Sequence, residues 1–107
     1  MFVHITSIHV SMGELTRLRE VMRRTYLPAA RQQPGFLRDY LLEQVDDPDH
    51  AELILVWENQ SAFERFRGLE STDRFTRELR SVRGWRVDSQ SYVIRVDPVD
   101  FPGSERV

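Results

Sequence analysis

The chain has 107 residues and contains neither cysteine nor lysine. Without cysteine there are no disulfides, thiolate zinc sites or cysteine nucleophiles. All fifteen basic residues are arginine, which keeps its proton in proteins, so Schiff-base chemistry and an ammonium base are also excluded. Any catalysis is therefore left to His, Tyr, Arg, Asp and Glu side chains, and the missing cysteine favours the cytosol.

Long apolar runs and a strong net charge are missing as well. The longest apolar run, residues 53–57, is far too short to cross a bilayer, and residues 1–10 lack the regions of a signal peptide. The formal net charge is −2, which gives no electrostatic reason to bind phosphate backbones. We therefore expect a cytoplasmic protein with no membrane segment and no nucleic-acid partner.

The length predicts one compact domain and excludes a second domain for a cofactor. A chain of this size buries only about 60 to 70% of its surface on folding. One copy therefore has little room for both a packed core and a ligand pocket of about 300 Å³ or more.

Turn signals and apolar spacing predict four strands and three helices, of which the last two count as one broken helix in the order of elements. Residues 2–10 are rich in β-branched side chains and predict a strand. Ser11 to Glu14 have the sequence of a capping box, which predicts that a helix of about five turns follows. The inward stripe of this helix is formed by Leu15, Leu18, Met22, Tyr26 and Ala29.

The middle of the chain predicts an antiparallel hairpin. Pro34 and Gly35 end the first helix, because proline restricts the residue before it and glycine permits a positive φ. Residues 36–45 and 51–58 predict strands, and the charged residues between them predict the turn. Residues 53–57 are apolar without alternation, which indicates that both faces of this strand are covered.

The last part of the chain predicts two helices and a strand. Ser61 to Glu64 form a second capping box, which opens a short helix. Residues 71–82 predict another helix, and residues 85–96 predict the final strand. The tail over residues 97–107 contains prolines and a glycine, and we expect it to be irregular.

The order β-α-β-β-α-β is typical of the ferredoxin-like split βαβ fold of the α+β class. Right-handed crossovers place the helices on one face of a four-stranded antiparallel sheet. The other face would be bare in a monomer, although residues 53–57 are apolar on both sides. We therefore predict a domain over residues 1–96 that forms a homodimer through its sheet faces, with a continuous barrel-like core.

Three segments carry a family resemblance: the turn Pro34-Gly35-Phe36-Leu37, the loop over residues 45–49, and residues 56–63 with the sequence Val-Trp-Glu-Asn-Gln-Ser-Ala-Phe. Over about residues 1–96 the chain resembles the antibiotic biosynthesis monooxygenase domain family. That family has the dimeric α+β barrel fold, which agrees with the fold predicted from the order of elements.

The resemblance implies oxidation of an anthrone or hydroquinone by O₂ without metal or flavin. The deprotonated substrate supplies the electrons, and the protein contributes a dry pocket, a proton acceptor and donors that stabilise the anion. Trp57 and, by spacing, Arg77 match positions of the family pattern. Leu53 replaces a family asparagine, and Phe63 replaces a family tyrosine. Leu79 stands where haem-degrading members carry their iron-binding histidine, so haem degradation is the family activity that this chain fits worst.

Histidines and tyrosines supply the candidate proton-transfer groups. His4 and His9 are candidate bases, but they lie five residues apart on one strand and face opposite sides, so they cannot hold one metal ion together. Tyr26 and Tyr40, the latter on the same strand face as Phe36, are candidate phenols, of which one could project into a cavity between helix and sheet. For each of the four, the alternative is a structural side chain with a hydrogen-bond partner. No His, Asp and Glu residues have ligand spacing, so we expect no metal and no cofactor.

The remaining candidates concern the substrate. Helical periodicity turns Arg77 to solvent, and Arg80 or Arg83 could take its place if the family register slips by a turn. Trp57 is either a core residue or a platform for the substrate. The predicted substrate contacts are Trp57, Phe63, Phe66 and Leu53.

Three functions remain open from the sequence. The first is a cofactor-independent monooxygenase acting on a small aromatic, quinol-like or polyketide-type molecule. The second is a non-catalytic dimeric module that binds a small molecule or serves in a stress response. It is favoured by the absence of the histidine of haem-degrading members and by Leu53 and Phe63, which replace hydrogen-bonding residues of the family. The third is an isomerase or cyclase, which would need only a base such as His4 or His9.

Overall fold

Four antiparallel strands form a single sheet in the computed structural model, which describes residues 1–95. The strands follow the spatial order β2-β3-β1-β4, as in the predicted ferredoxin-like α+β fold, which is confirmed. Their bounds are β1 (Phe2–His9), β2 (Phe36–Glu43), β3 (His50–Trp57) and β4 (Arg86–Val93). The predicted irregular tail over residues 97–107 lies outside the described residues.

Helical segments connect β1 to β2 and β3 to β4. The first connection consists of α1 (Leu15–Val21), a π-helical turn (Met22–Tyr26) and α2 (Leu27–Arg31). The second consists of α3 (Gln60–Arg67) and α4 (Glu70–Ser81). The predicted hairpin of β2 and β3 is present, with antiparallel pairing along its length.

The π turn in the first connection is the main local departure from the predicted helix. It lies just before Pro28, which has no N–H to donate to the carbonyl four residues back and whose ring crowds that carbonyl. The turn moves the inward stripe by one residue. Beyond it, Leu27 and Ala30 are buried, whereas Ala29 is only half-buried. Tyr26 and Leu27 therefore both face the core, next to each other in sequence.

Neither predicted capping box forms. Ser11 Oγ donates to the carbonyl of Arg83 at 3.3 Å, and the Glu14 carboxylate accepts from Trp85 Nε1 at 2.6 Å, so contacts to the segment before β4 take up both side chains. At α3 the N-cap is Asn59, whose Oδ1 accepts from the N–H of Ala62 at 2.9 Å. Asparagine is among the best N-cap residues, and the helix begins early enough to use it.

Gly35 lies just before β2 and packs against α3. The predicted turn at this residue is confirmed. Its φ is 86°, a backbone conformation that only glycine adopts readily. A Cβ at this position would lie 2.5 Å from Ala62 Cβ, so the chain passes directly against α3 here. The N–H of Glu58 donates to the Gly35 carbonyl at 2.8 Å, which ties the end of β3 to the same turn.

The helix-facing side of the sheet carries the core. Phe2 and Ile8 of β1 are buried there, together with Leu53, Leu55 and Trp57 of β3. These side chains form one cluster with the inward residues of the helices. The sheet thus supplies a continuous apolar floor, on which the candidate site is built.

The opposite face of the sheet is apolar at its centre. Val3 and Ile5 of β1 pair with Val56 and Ile54 of β3 on this side, and Tyr40 of β2 pairs with Ile54. Within residues 1–95, the core cluster includes none of these side chains, and Tyr40 is 45% exposed. This surface accounts for the apolar residues 53–57 on both sides of β3.

Candidate functional site

A cavity of about 190 Å³ lies between the helix-facing side of the sheet, α4 and the π turn. Its floor includes His4 and Thr6 of β1 and Leu53 of β3. Aromatic rings wall it from the helices, and polar side chains of α4 enter it. The helical lining includes Tyr26, Phe63, Arg67, Thr72, Phe75 and Arg80.

His4 brings an uncharged imidazole to the cavity floor. Its ring stacks on Phe63 with 4.3 Å between centroids, and its Nδ1 lies 2.9 Å from Ser91 Oγ. Burial lowers the pKa of His4 to about 4, and the positive charges of Arg67 and Arg80 add to this effect, whereas Glu64 opposes it. At neutral pH His4 is therefore a neutral hydrogen-bonding group and only a weak base.

Tyr26 is the phenol that lies in the cavity. It is 9% exposed, and its ring stacks on Phe75 at 4.9 Å and meets Phe66 edge-on at 5.4 Å. Burial raises the pKa of Tyr26 to about 12. Its hydroxyl therefore keeps its proton at neutral pH and can act as a donor.

The cavity contains Arg80 and not Arg77. Arg77 is 71% exposed and pairs with Asp73 at 3.1 Å between Nε and Oδ2, as helical periodicity indicated, so the position matched by family spacing lies outside the cavity. Arg80, one turn on, lines the cavity and donates from Nη1 to the carbonyl of Val87 at 3.0 Å. Of the arginines considered from the sequence, Arg80 is thus the one that lines the cavity.

Two of the four predicted substrate contacts line the cavity. Phe63 and Leu53 form part of its surface. Trp57 and Phe66 lie in the core behind it, with their rings 5.3 Å apart. The Trp57 Nε1 has no hydrogen-bond partner among residues 1–95. Trp57 thus supports the cavity through Phe63, whose ring centroid is 6.0 Å away, and does not face it.

His9 and Tyr40 lie on the other face of the sheet and do not line this cavity. His9 is 3.7 Å from Asp47, measured from Nδ1 to Oδ2. The expectation that Tyr40 shares a face with Phe36 is wrong, because a β-bulge between Phe36 and Arg38 reverses the alternation. Phe36 therefore packs on Trp57 while Tyr40 points away from the helices.

The sequence interpretation missed the polar face of α4. Thr72, Thr76 and Arg80 are spaced four residues apart, which places them on one side of the helix, and all three line the cavity. Thr72 is 5% exposed, and its hydroxyl has no hydrogen-bond partner among the described residues. The spacing is visible in the sequence, but the apolar stripe of Phe75 and Leu79 on the same helix is the stronger signal and hides it.

Comparison with known proteins identifies the family of this chain. A family model described as antibiotic biosynthesis monooxygenase matches residues 1–78. The chain belongs to the antibiotic biosynthesis monooxygenase family. Membership supports a monooxygenase-type role, and it confirms the resemblance seen in the sequence.

Solved structures of other proteins agree with this membership. A Deinococcus radiodurans protein named for the same family is 18% identical, with a TM-score of 0.82 over 96% of this chain and 100% of that chain. SnoaB of Streptomyces nogalater, described as a cofactor-independent oxygenase, is 25% identical, with a TM-score of 0.74 over 90% of this chain and 94% of its own. Among curated proteins, none matches this chain at a significant level.

A single-substitution mutant of MhuD is another structural match, with two manganese protoporphyrin IX molecules bound per active site. It is 20% identical, with a TM-score of 0.73 over 94% of this chain and 100% of that chain. The cavity of the present chain does not fit a porphyrin. Its cavity of about 190 Å³ is small for four linked pyrrole rings, Leu79 offers no ligand, and His4 is bound to Ser91.

Two further observations concern the part of the chain that the structure describes. Over residues 1–95, no three His, Cys, Asp or Glu side chains come together as a metal ion would require. Over the same residues, no helix combines the length and apolarity needed to cross a membrane.

Proposed function

We propose that this family member is a cofactor-independent monooxygenase that oxidises a small aromatic, quinol-like or polyketide-type molecule. The observation that carries the proposal is a cavity walled by aromatic rings, into which Arg80, Tyr26 and a neutral His4 project. Such a site suits a substrate that supplies its own electrons, because it offers stabilisation of an anion and a dry environment.

The reaction balances without any reductant other than the substrate. An activated CH₂ carbon gives a proton to the neutral imidazole of His4, and its carbanion gives electrons to O₂ as a C–O bond forms. The resulting peroxide takes that proton back from His4. Loss of the second hydrogen from the same carbon then breaks the O–O bond, which leaves a carbonyl on the product and releases one molecule of water.

Each polar group of the cavity has a role in this scheme. The Arg80 guanidinium stabilises the negative charge that spreads onto the substrate oxygen. Tyr26, whose pKa is raised to about 12, donates a hydrogen bond to the peroxide. His4, with its pKa lowered to about 4, is a weak base in the empty cavity, so the first proton transfer depends on Arg80 lowering the pKa of the substrate.

Isotope labelling tests the proposal. Purified protein is incubated with a panel of anthrones and hydroquinones under ¹⁸O₂ and under nitrogen, and the products are analysed by mass spectrometry. We expect one labelled oxygen atom in the product of an anthrone, which has the required CH₂ carbon, and no turnover of any compound without O₂. Equal turnover under nitrogen contradicts the proposal, and a product of unchanged mass indicates an isomerase or cyclase.

A non-catalytic binding module is the second candidate. The observation that favours it is the apolar character of Leu53 and Phe63, which line the cavity where the family pattern has hydrogen-bonding side chains. Tight binding of a panel compound with no oxygen consumption would support this candidate over the oxygenase.

We further propose that two copies associate through their sheet faces. The apolar centre around Ile5, Ile54 and Val56 supports this. Within residues 1–95, these side chains lie on the face opposite the helices and are not part of the core cluster. The cytosolic location predicted from the missing cysteine stays a prediction.

A further inference from the structure

The cavity contains one cation without a carboxylate partner. Arg67 pairs with Glu64, and Asp73 pairs with Arg77, so these charged residues of the lining are compensated. Arg80 forms no ion pair within 4 Å in residues 1–95 and contacts only a backbone carbonyl. Its charge therefore faces the cavity uncompensated, next to a neutral His4.

The electrostatics around His4 indicate a positive potential in the cavity. Arg67 of α3 and Arg80 of α4 both lower the pKa of His4, so their positive potential reaches the cavity floor. Glu64 acts in the opposite direction, with an effect on the pKa of His4 that is smaller than that of Arg67 and larger than that of Arg80. A ligand that enters the cavity therefore meets a positive potential, which favours an anion.

The volume limits the ligand to one ring. A protein cavity of about 150 Å³ lined by apolar side chains binds a single benzene. The present cavity measures about 190 Å³, so it holds one six-membered ring with a small substituent. Phe63 and Phe75 supply the aromatic walls against which such a ring packs.

We propose that the cavity binds a single aromatic ring that carries a carboxylate, with Arg80 as the charge partner. The inference rests on the proposed function only in using the same cavity as its site. A carboxylate fits better than a phenol, because it is ionised at neutral pH and so compensates Arg80 in the resting complex. Fused rings beyond the first exceed the enclosed volume and would have to extend into solvent through the open side of the cavity.

Calorimetric titration of the full chain at pH 7 tests the proposal with four probes: benzoate, its neutral isostere benzamide, phenol and 9-anthracenecarboxylate. We expect benzoate to bind about tenfold tighter than benzamide or phenol, since neither of these carries the negative charge that pairs with Arg80. We also expect 9-anthracenecarboxylate to bind more weakly than benzoate. Benzamide binding as tightly as benzoate, or the three-ring acid binding at least as tightly, would overturn the proposal.

Variants assign the effect to α4. Arg80→Gln should abolish the preference for benzoate over benzamide, whereas Arg80→Lys should keep part of it. The control is Arg74→Gln on the same helix, because Arg74 is exposed, pairs with Glu70 and does not line the cavity. Thermal unfolding of each variant shows whether it is folded, and a folded Arg80→Gln protein that keeps the preference contradicts the assignment.

The outcomes also separate this inference from the oxygenase proposal. Selective benzoate binding with no O₂-dependent turnover of any hydroxylated benzoate or anthrone leaves the inference intact and contradicts the oxygenase. Turnover of neutral three-ring anthrones, with no preference for benzoate, supports the oxygenase and overturns the inference.

Discussion

His4 makes stability depend on pH in a definite direction. Its folded-state pKa is lowered from 6.5 to about 4, so between these values the unfolded chain binds more protons at this residue than the folded chain. The contribution of His4 is fully present above pH 6.5 and is lost as the pH falls through 6.5 towards 4. We expect the free energy of unfolding, measured by urea denaturation, to fall over this window.

A His4→Gln variant is the control for this prediction, because it cannot titrate. The difference in unfolding free energy between wild type and variant should change between pH 6.5 and pH 4 and be constant above pH 7. The imidazole resonances of His4, followed by NMR, should titrate near pH 4. A midpoint near 6.5 would show that the ring is not held neutral by the cavity.

At the scale of elements, Gly35 fixes how the hairpin meets α3. Gly35→Ala places a Cβ 2.5 Å from Ala62 Cβ at a φ of 86°, so we expect a loss of about 2–4 kcal/mol from backbone strain and overpacking together. Gly13→Ala is the matched control, since Gly13 has a φ of 81° but nothing within 4 Å of its Cβ position. It should cost only about 1–2 kcal/mol. Equal losses in urea denaturation would contradict the proposed contact.

The start of α3 gives a second test at this scale. Asn59→Ala removes the oxygen that accepts from the Ala62 N–H and should cost about 1 kcal/mol. Ser61→Ala should change the free energy of unfolding by less than about 0.5 kcal/mol, because Ser61 is not the N-cap. A larger loss of unfolding free energy for Ser61→Ala than for Asn59→Ala would instead support the capping box predicted from the sequence.

These elements show which features the sequence could specify. The strands, the turn at Gly35 and the order of elements follow from local residue patterns, and all are present in the structure. The capping at Ser11 was not predictable, since its oxygen bonds a carbonyl 72 residues away in sequence. The cavity depends on similar long-range effects: the bulge after Phe36 that turns Tyr40 outward, and the sheet that brings His4 beneath α4.

At the scale of the whole molecule, the proposed association of two copies would relieve the shortage of interior that the chain length implies. In one copy the helix-facing side of the sheet must hold both the core and the cavity, while Ile5 and Ile54 stay partly exposed on the other face. Burial of that face between two subunits would stabilise each sheet from behind, so the helices need not close tightly over the cavity. The cavity is present in the single chain, so the proposed dimer would stabilise it rather than create it.

Ile54→Arg tests this dependence, because it places a charge at the centre of the apolar face. We expect wild type to sediment as a dimer at micromolar concentration and Ile54→Arg as a monomer, with weaker benzoate binding since the sheet loses its support. Met12→Arg is the control: Met12 is 90% exposed in the loop before α1, and this variant should stay dimeric. A monomeric wild type contradicts the dimer. A monomeric Ile54→Arg protein that binds benzoate with unchanged affinity shows that each subunit holds its cavity open alone.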